Sequence, residues 1–342
     1  MKESYFASAN GYRGFTSLFN DVFDSTKFEK VFILKGGPGT GKSTFIKKIC
    51  DKMERSNANI KRFYCSSDTN SLDGAIIELS GKKVAFIDGT APHERDATYV
   101  GAIDELINLG KGLNASLLSS HRDKIIELSK EKNKAYKVAY SHLNIAGECD
   151  DHIYKTITPG FDINSACKYM CDLFDMSKSN CQNQEFRIFR SSFNKNGYTT
   201  LPLIIDEKTK HIKIGGDQRC AEVFLRLLYN KTNDVEKIVY LSPLDQNHVE
   251  SIYINNLLLA IDNNNYNIDA SIFFTSFKQI QEETKSIQTV HNEMLLTATK
   301  WFTKASNLHF ELEDIYRRCM DFSNNDEIFD KIYKKTLKVF DC

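Results

Sequence analysis

One glycine-rich segment constrains the fold of this chain more than any other part of its sequence. It covers residues 36–43 and reads Gly-Gly-Pro-Gly-Thr-Gly-Lys-Ser. The apolar, β-branched run at residues 31–34 before it is typical of a buried strand. After it, apolar side chains at residues 45, 46 and 49 have the spacing of one helix face. The segment is therefore predicted to be a loop between a strand and the helix that follows.

The same segment has the Walker A pattern G-x-x-x-x-G-K-[ST] with every fixed position filled. Glycines let the backbone N–H groups point into one concavity, and the next helix directs its positive end there. In such a loop Lys42 is predicted to reach the β- and γ-phosphates of ATP, and the Ser43 hydroxyl to bind Mg²⁺. The predicted nucleotide-binding residues are consecutive: Gly36, Gly37, Pro38, Gly39, Thr40, Gly41, Lys42, Ser43 and Thr44.

A second strand-like run, at residues 83–87, ends at Asp88. An aspartate at the carboxyl end of a buried strand, downstream of such a loop, is the Walker B arrangement. Asp88 is therefore predicted to hold Mg²⁺ directly or through water. The alternative is a strand that ends at a surface Asp-Gly turn, since Gly89 follows.

The group that positions a reacting water must lie elsewhere, because no Asp-Glu pair follows the second strand. His93 and Glu94 lie in a proline-containing loop just after it, and Asp68 lies in the polar turn after a strand predicted at residues 61–66. Each can act as a base or orient water. Glu94 and Asp68, with Lys42, are the predicted catalytic residues.

Composition separates this chain from several classes of protein. Its 45 basic and 45 acidic side chains cancel, so net charge gives no indication of a nucleic-acid partner. Nine cysteines at irregular spacing suit reduced thiols better than a disulfide framework, and none has metal-ligand spacing. No apolar run approaches the ~20 residues that span a bilayer, and residues 1–10 have no apolar h-region. We therefore expect a cytoplasmic protein with no membrane partner.

The second part of the chain repeats motifs of the first in the same order. Residues 14–18 recur at 197–201, 36–49 at 215–228, 84–88 at 258–262, and 121–126 at 291–296, which are offsets of 183, 179, 174 and 170. A duplication with small deletions would give this series. We predict an α/β protein with the P-loop NTPase fold, made of two tandem repeats that each carry a small sheet and a helical arm.

The predicted boundaries follow from the pattern along the chain. The first domain covers residues 1–182, and its helical arm, without strands, covers about 98–174 and includes a helix at 99–109. The second domain covers residues 183–342 and ends in a helical arm. The polar segment 176–185 is the predicted linker between them.

The second copy of the loop lacks the residues of nucleotide chemistry. Residues 220–222 are Cys-Ala-Glu where residues 41–43 are Gly-Lys-Ser. The phosphate lysine and the Mg²⁺ hydroxyl are lost, and a carboxylate lies where phosphate would bind. We expect one nucleotide per chain and a structural or regulatory second half. Arg219 or Arg226 could reach the γ-phosphate from that half, and a surface role is the alternative.

Three segments together resemble a poorly characterised bacterial family of duplicated P-loop proteins, which are labelled ATPases or nucleotide-binding proteins. They are residues 32–44 with the Walker A loop, residues 64–74 with Tyr-Cys-Ser-Ser-Asp and Ser-Leu-Asp-Gly, and residues 88–93 with Asp-Gly-Thr-Ala-Pro-His. The last two are the more specific. The resemblance covers most of the chain and implies the duplicated fold and ATP binding, but no substrate. The family's second half often keeps a glycine-rich loop, which this chain has lost at residues 221–222.

The sequence therefore predicts a Mg²⁺-dependent ATPase that hydrolyses ATP in its first half. Two alternatives stay open. One is a kinase for a nucleoside or other small molecule, with Asp68 as base and residues 98–174 as lid, although that segment has Arg122 alone rather than an arginine pair. The other is a nucleotide-gated module that binds a protein or nucleic acid through its arms.

Overall fold

One sheet of twelve strands runs through the part of the chain that the computed structural model describes, which is residues 2–173, 185–202, 209–232 and 235–341. Up to residue 173 the elements are β1 (Lys2–Phe6), β2 (Ser8–Gly11), β3 (Gly14–Ser17), α1 (Phe19–Val22), β4 (Lys30–Lys35), α2 (Lys42–Glu54), β5 (Asn59–Tyr64), β6 (Leu72–Leu79), β7 (Lys82–Asp88), β8 (Asp104–Asn108), α3 (Ala115–Ser120), α4 (Arg122–Ile157) and α5 (Ile163–Leu173).

The elements that follow come in a similar order. They are β9 (Glu185–Phe189), β10 (Ser191–Asn194), β11 (Gly197–Thr200), β12 (Lys210–Gly215), α6 (Gln218–Lys231), β13 (Lys237–Leu241), β14 (Val249–Ile254), β15 (Leu257–Ile261), β16 (Ile268–Asp269), α7 (Phe277–Arg318) and α8 (Ser323–Val339).

The strands of the two halves occupy corresponding positions in the sheet, counted from either end. The strand order is β16-β12-β15-β14-β13-β9-β1-β5-β6-β7-β4-β8, and the two central strands, β1 and β9, pair antiparallel at Phe6 and Phe189. Moving outward, β5 has the position of β13, β6 of β14, β7 of β15, β4 of β12, and β8 of β16. The hairpins β2-β3 and β10-β11 also correspond. An approximate two-fold axis therefore passes between β1 and β9.

Each half covers one face of its sheet with a helix that follows a glycine turn. In the first half, Phe45, Ile46 and Ile49 of α2 are buried against β6 and β7, as their spacing predicts. α8 adds Phe329 and Ile332 to the same core. In the second half, α6 packs on β12 and β15 through apolar side chains at the same helical spacing: Phe224, Leu225 and Leu228.

The two longest helices, α4 with 36 residues and α7 with 42, form the arms. They pack together through the small buried side chains of Ala139, Ala146 and Ala298, with Phe302 among them. Small residues allow close approach of two helices. In the described part of the chain, no helix combines the length and apolarity needed to cross a membrane.

Two predictions about the elements are wrong, and two others lie outside the described residues. Residues 99–109 are not a helix, because they contain β8, an edge strand that pairs parallel with β4. Its side chains alternate, with Ile107 buried and Leu106 51% exposed, which is a strand period and not a helical one. The helical arm consequently begins at Ala115 and not near residue 98. The linker prediction at 176–185 lies outside the described residues apart from Glu185, as does the predicted domain boundary at 182.

Two of the sequence matches between the halves are displaced in the structure, one at Asp88 and one at the glycine-rich loop. Leu34 pairs with Asp88, and the corresponding residue Ile214 pairs with Ile261, so Asp262 is not the counterpart of Asp88. Asp262 instead forms an ion pair with Lys213 at 2.9 Å. The connection between β12 and α6 has only two residues, because β12 ends at Gly215 and α6 begins at Gln218.

Candidate functional site

The glycine-rich loop (residues 36–43) joins the carboxyl end of β4 to the first turn of α2. Gly39 and Gly41 have φ of 68° and 90°, which L-residues with a Cβ rarely adopt. The Thr40 hydroxyl donates to the Gly37 carbonyl at 2.9 Å and closes the turn. Glycine at residues 39 and 41 therefore allows the backbone conformation in which the loop curves around one point.

Lys42 is buried and folds back into this loop. Its Nζ donates to the carbonyl oxygens of Gly36 at 3.2 Å and Gly37 at 3.0 Å, and lies 3.7 Å from the Asp88 Oδ2. Asp88 ends β7, the strand next to β4, and its Oδ1 accepts hydrogen bonds from the backbone and the hydroxyl of Thr90. The two predicted residues are thus held together at the carboxyl edge of adjacent parallel strands.

Ser43, the other predicted Mg²⁺ ligand, lies in the first turn of α2. Its Oγ accepts a 2.9 Å hydrogen bond from the backbone N–H of Leu72, which ties α2 to the start of β6. A hydroxyl oxygen has two lone pairs, so this contact leaves one for a cation. The residue after Leu72 is Asp73, which brings a second carboxylate into the same region.

Asp73 belongs to the Ser-Leu-Asp-Gly segment noted in the sequence, but it was not among the predicted site residues. It is 5% exposed, and ligand atoms of Asp73, Asp88 and His93 lie within 4.8 Å of one another. Burial, reinforced by repulsion from Asp88, raises the pKa of Asp73 to about 8. An acidic residue inside the otherwise apolar run of β6 was the available signal.

His93 is buried beside these carboxylates. Its ring stacks on Phe19 with centroids 4.3 Å apart, and its Nε2 lies 4.0 Å from the Asp73 Oδ2. Neither ring nitrogen has a hydrogen-bond partner in the part of the chain that the structure describes. Burial lowers the pKa of His93, which favours the neutral imidazole. A neutral imidazole can accept a proton, a hydrogen bond or a metal ion.

The other two candidates for the water-positioning role lie in different surroundings. Glu94 is exposed although His93 beside it is buried. Asp68 accepts a hydrogen bond from the Asn70 backbone and lies 4.0 Å from the Lys195 Nζ. Of the three, His93 is the residue that the structure brings to Asp88.

The far end of α7 and the start of α8 cover the glycine-rich loop. The Asn325 side-chain amide donates to the Thr40 carbonyl at 3.0 Å. A Cβ on Gly37 would lie 3.1 Å from the Tyr316 ring, and one on Gly39 would lie 2.8 Å from the Glu313 carbonyl oxygen. Helices that follow the second half of the sheet thus form one wall of the site in the first half.

The reciprocal contact occurs at the second loop (residues 215–217). There α4, which follows the first half of the sheet, brings Asp150 to Arg219 at 2.6 Å and Tyr154 to the exposed Arg226 at 3.5 Å. Arg219 is only 8% exposed, so it is not the surface arginine that the sequence left open. Both arginines contact α4 near the second loop, and the expectation that one of them serves the first loop has no support in these contacts.

The second loop also differs in what lies at the helix N-terminus. The Asp217 carboxylate accepts hydrogen bonds from the backbone N–H groups of Arg219 and Cys220 and caps α6. It was Glu222 that the sequence put at the phosphate position. Glu222 instead lies one turn further along α6, 3.5 Å from the His248 Nδ1. A side chain of the protein itself therefore satisfies the donors that would bind phosphate.

Comparison with known proteins gives one partial match. Residues 16–78, which include the glycine-rich loop, match the family model described as Nephrocystin 3, N-terminal. The match spans well under half of the chain and is a likeness over that segment. No curated protein matches the chain. No solved structure matches it either.

Proposed function

We propose that this protein is a Mg²⁺-dependent ATPase with the P-loop NTPase fold, and that it binds one ATP at residues 36–44. The observation that carries the proposal is the 3.7 Å distance between the Lys42 Nζ and Asp88, beside the glycine-rich loop that leads into the N-terminus of α2. A helix N-terminus and a lysine attract phosphate, and a carboxylate beside them can bind Mg²⁺. The Walker A pattern and the resemblance to duplicated P-loop proteins support the same function.

In this proposal each residue of the loop has a defined task. The backbone N–H groups of Gly37 and of residues 39–43 bind the phosphates, and Lys42 exchanges the carbonyls of Gly36 and Gly37 for the β- and γ-phosphate oxygens. Ser43 and Asp88 have the oxygen ligands that Mg²⁺ prefers. Mg²⁺ would neutralise charge on the phosphates and orient the terminal one for attack by water.

The second half has a structural or regulatory role in this proposal. Its loop is shorter, its helix N-terminus is capped by Asp217, and Ile261 stands where the first half has Asp88. These features argue against a second nucleotide. A cytoplasmic location remains a prediction.

The test is Mg²⁺-ATP binding by calorimetry and phosphate release by the purified full chain. Lys42→Ala is expected to weaken binding at least tenfold and to abolish turnover. Lys47→Ala is the matched control, because it removes the same charge from the exposed side of the same helix and is expected to keep both. Equal affinity in the Lys42→Ala variant and the parent chain would refute the nucleotide site.

The residue that positions water is tested in the same assay. Because Glu94 is exposed and Asp68 pairs with Lys195, we expect Glu94→Gln and Asp68→Asn to keep most of the parent turnover. Loss of turnover in Asp68→Asn, with ATP binding intact, would restore Asp68 as the base. Phosphate release without an added acceptor would argue against the kinase alternative.

A nucleotide-gated module is the second candidate function. It is favoured by the position of Tyr316 and Asn325 beside the loop, because Tyr316 lies near the end of α7, a helix of 42 residues. Such a helix can carry a change in position to a distant partner. Turnover that rises only when a fraction of cell extract is added would support this candidate over a simple hydrolase.

A further inference from the structure

Three side chains beside the glycine-rich loop have the composition of a transition-metal site. Asp73, Asp88 and His93 come from two strands and a loop, and one ligand atom from each lies within 4.8 Å of the others. Ligands on opposite sides of an ion, each about 2.1 Å from it, are about 4.2 Å apart. A small inward shift of the three side chains would therefore allow them to share one ion.

The second observation is the state of the histidine. His93 is 9% exposed, and among the described residues neither its Nδ1 nor its Nε2 has a hydrogen-bond partner. Buried polar atoms are nearly always paired, so an imidazole with two unpaired nitrogens points to a binding partner at this position. The Nε2 faces Asp73 at 4.0 Å, and stacking on Phe19 at 8° fixes the ring plane.

Charge also favours a cation at this position. Asp73 and Asp88 bring two carboxyl groups into one buried site, with the Lys42 ammonium 3.7 Å from Asp88. A divalent ion between Asp73 and Asp88 would offset the repulsion between them when both are ionised.

We propose that Asp73, Asp88 and His93 bind a divalent transition-metal ion of the Mn²⁺, Co²⁺ or Zn²⁺ class, and do so without nucleotide. Mg²⁺ takes oxygen ligands almost entirely, whereas an imidazole nitrogen selects the transition metals. The proposal rests on the proposed function only in sharing Asp88 with it.

Titration of the nucleotide-free full chain with Co²⁺ tests the site directly, by calorimetry and by the visible absorption of the bound ion. We expect one Co²⁺ per chain, and at least a tenfold weaker Kd in His93→Gln and in Asp73→Asn. His211→Gln is the control, because it removes an exposed imidazole from another part of the sheet and is expected to bind as the parent does.

Two further measurements keep this test separate from that of the nucleotide site. Lys42→Ala is expected to lose ATP and to keep Co²⁺, and circular dichroism checks that each variant is folded. Absence of Co²⁺, Mn²⁺ and Zn²⁺ binding up to ~1 mM, or equal Co²⁺ affinity in His93→Gln and the parent, would overturn the metal site and leave ATP binding unaffected.

Discussion

The side-chain amide of Asn325 donates a 3.0 Å hydrogen bond to the backbone carbonyl of Thr40, across 285 positions in the chain. The first residues of α8 are thereby attached to the middle of the glycine-rich loop. Asn325→Ala is expected to lower the free energy of unfolding by about 1 kcal/mol, the usual net value of one such bond. It should also change the affinity for ATP, because the loop loses a contact that fixes its shape.

Asn324 gives a matched control for this prediction, since it is the adjacent asparagine and is exposed. Asn324→Ala is expected to leave both quantities within ~0.5 kcal/mol of the parent. Chemical denaturation and calorimetric titration with ATP measure them. If the two variants behaved alike, the hydrogen bond to Thr40 would have no role in stability or binding.

Gly39 connects backbone strain in the loop to the packing of α7. It has φ of 68°, and a Cβ there would lie 2.8 Å from the carbonyl oxygen of Glu313. Gly39→Ala must therefore pay about 1–2 kcal/mol for the left-handed backbone and also displace α7. We expect a larger loss of stability than strain alone gives, together with faster proteolysis of the α7–α8 region.

Gly81 separates these two effects. Its φ is 78°, and an added Cβ would meet no atom of the described residues within 4 Å, so Gly81→Ala introduces strain without the contact. Denaturation of both variants gives the difference. Equal losses of free energy would mean that α7 does not press on the loop.

Arg219 and Asp150 form the buried ion pair that attaches α4 to the second half. Their side chains are 9% and 11% exposed, and the distance is 2.6 Å. Removing one partner of such a pair leaves a buried charge and typically costs about 3–5 kcal/mol. Arg219→Met is expected to lower stability by that amount, and Arg226→Met, at an exposed position of the same helix, by under ~1 kcal/mol.

A double-mutant cycle with Asp150→Asn isolates the pair. If the pair itself carries the cost, the double variant should be less destabilised than the sum of the two single variants. Additive losses in denaturation experiments would show that Arg219 and Asp150 act independently.

The sequence predicted the parts of the site that depend on local pattern. The strand before the loop, the apolar face of α2 and the strand that ends at Asp88 all follow from periods of two or 3.6 residues, and the structure has them. Asp73 and His93 meet because β6 pairs with β7 in the sheet and His93 lies in the loop that follows β7. Their side chains are twenty residues apart in the chain, and no local period records that distance.

The covering of each loop by the other half's long helix was also beyond the sequence. Helical periodicity predicts the buried face of α7 but not the part of the chain against which its end packs. The positions of Glu313 beside Gly39 and of Tyr316 beside Gly37 could therefore not be predicted. The strand β8 was missed for another reason. It is an edge strand of five residues with one exposed face, and that pattern is too short to distinguish from a helix.

His248 makes stability depend on pH in the second half. Its ring stacks on Tyr154, and its Nδ1 lies 3.5 Å from Glu222, with Asp245 and Asp150 also acting on it. Burial lowers the pKa of His248, but these carboxylates outweigh burial and the net shift is upward. A raised pKa in the folded state means that folding favours the protonated ring.

The contribution of His248 to stability is therefore fully present below its unfolded pKa of about 6.5 and is lost as the pH rises through the higher folded value. We expect the free energy of unfolding of the parent to fall above about pH 6.5, and to fall less in His248→Gln, which keeps a polar side chain without titrating. Urea denaturation at a series of pH values measures both slopes. A parent and variant with the same slope above pH 6.5 would show that Glu222 does not stabilise the imidazolium in the folded protein.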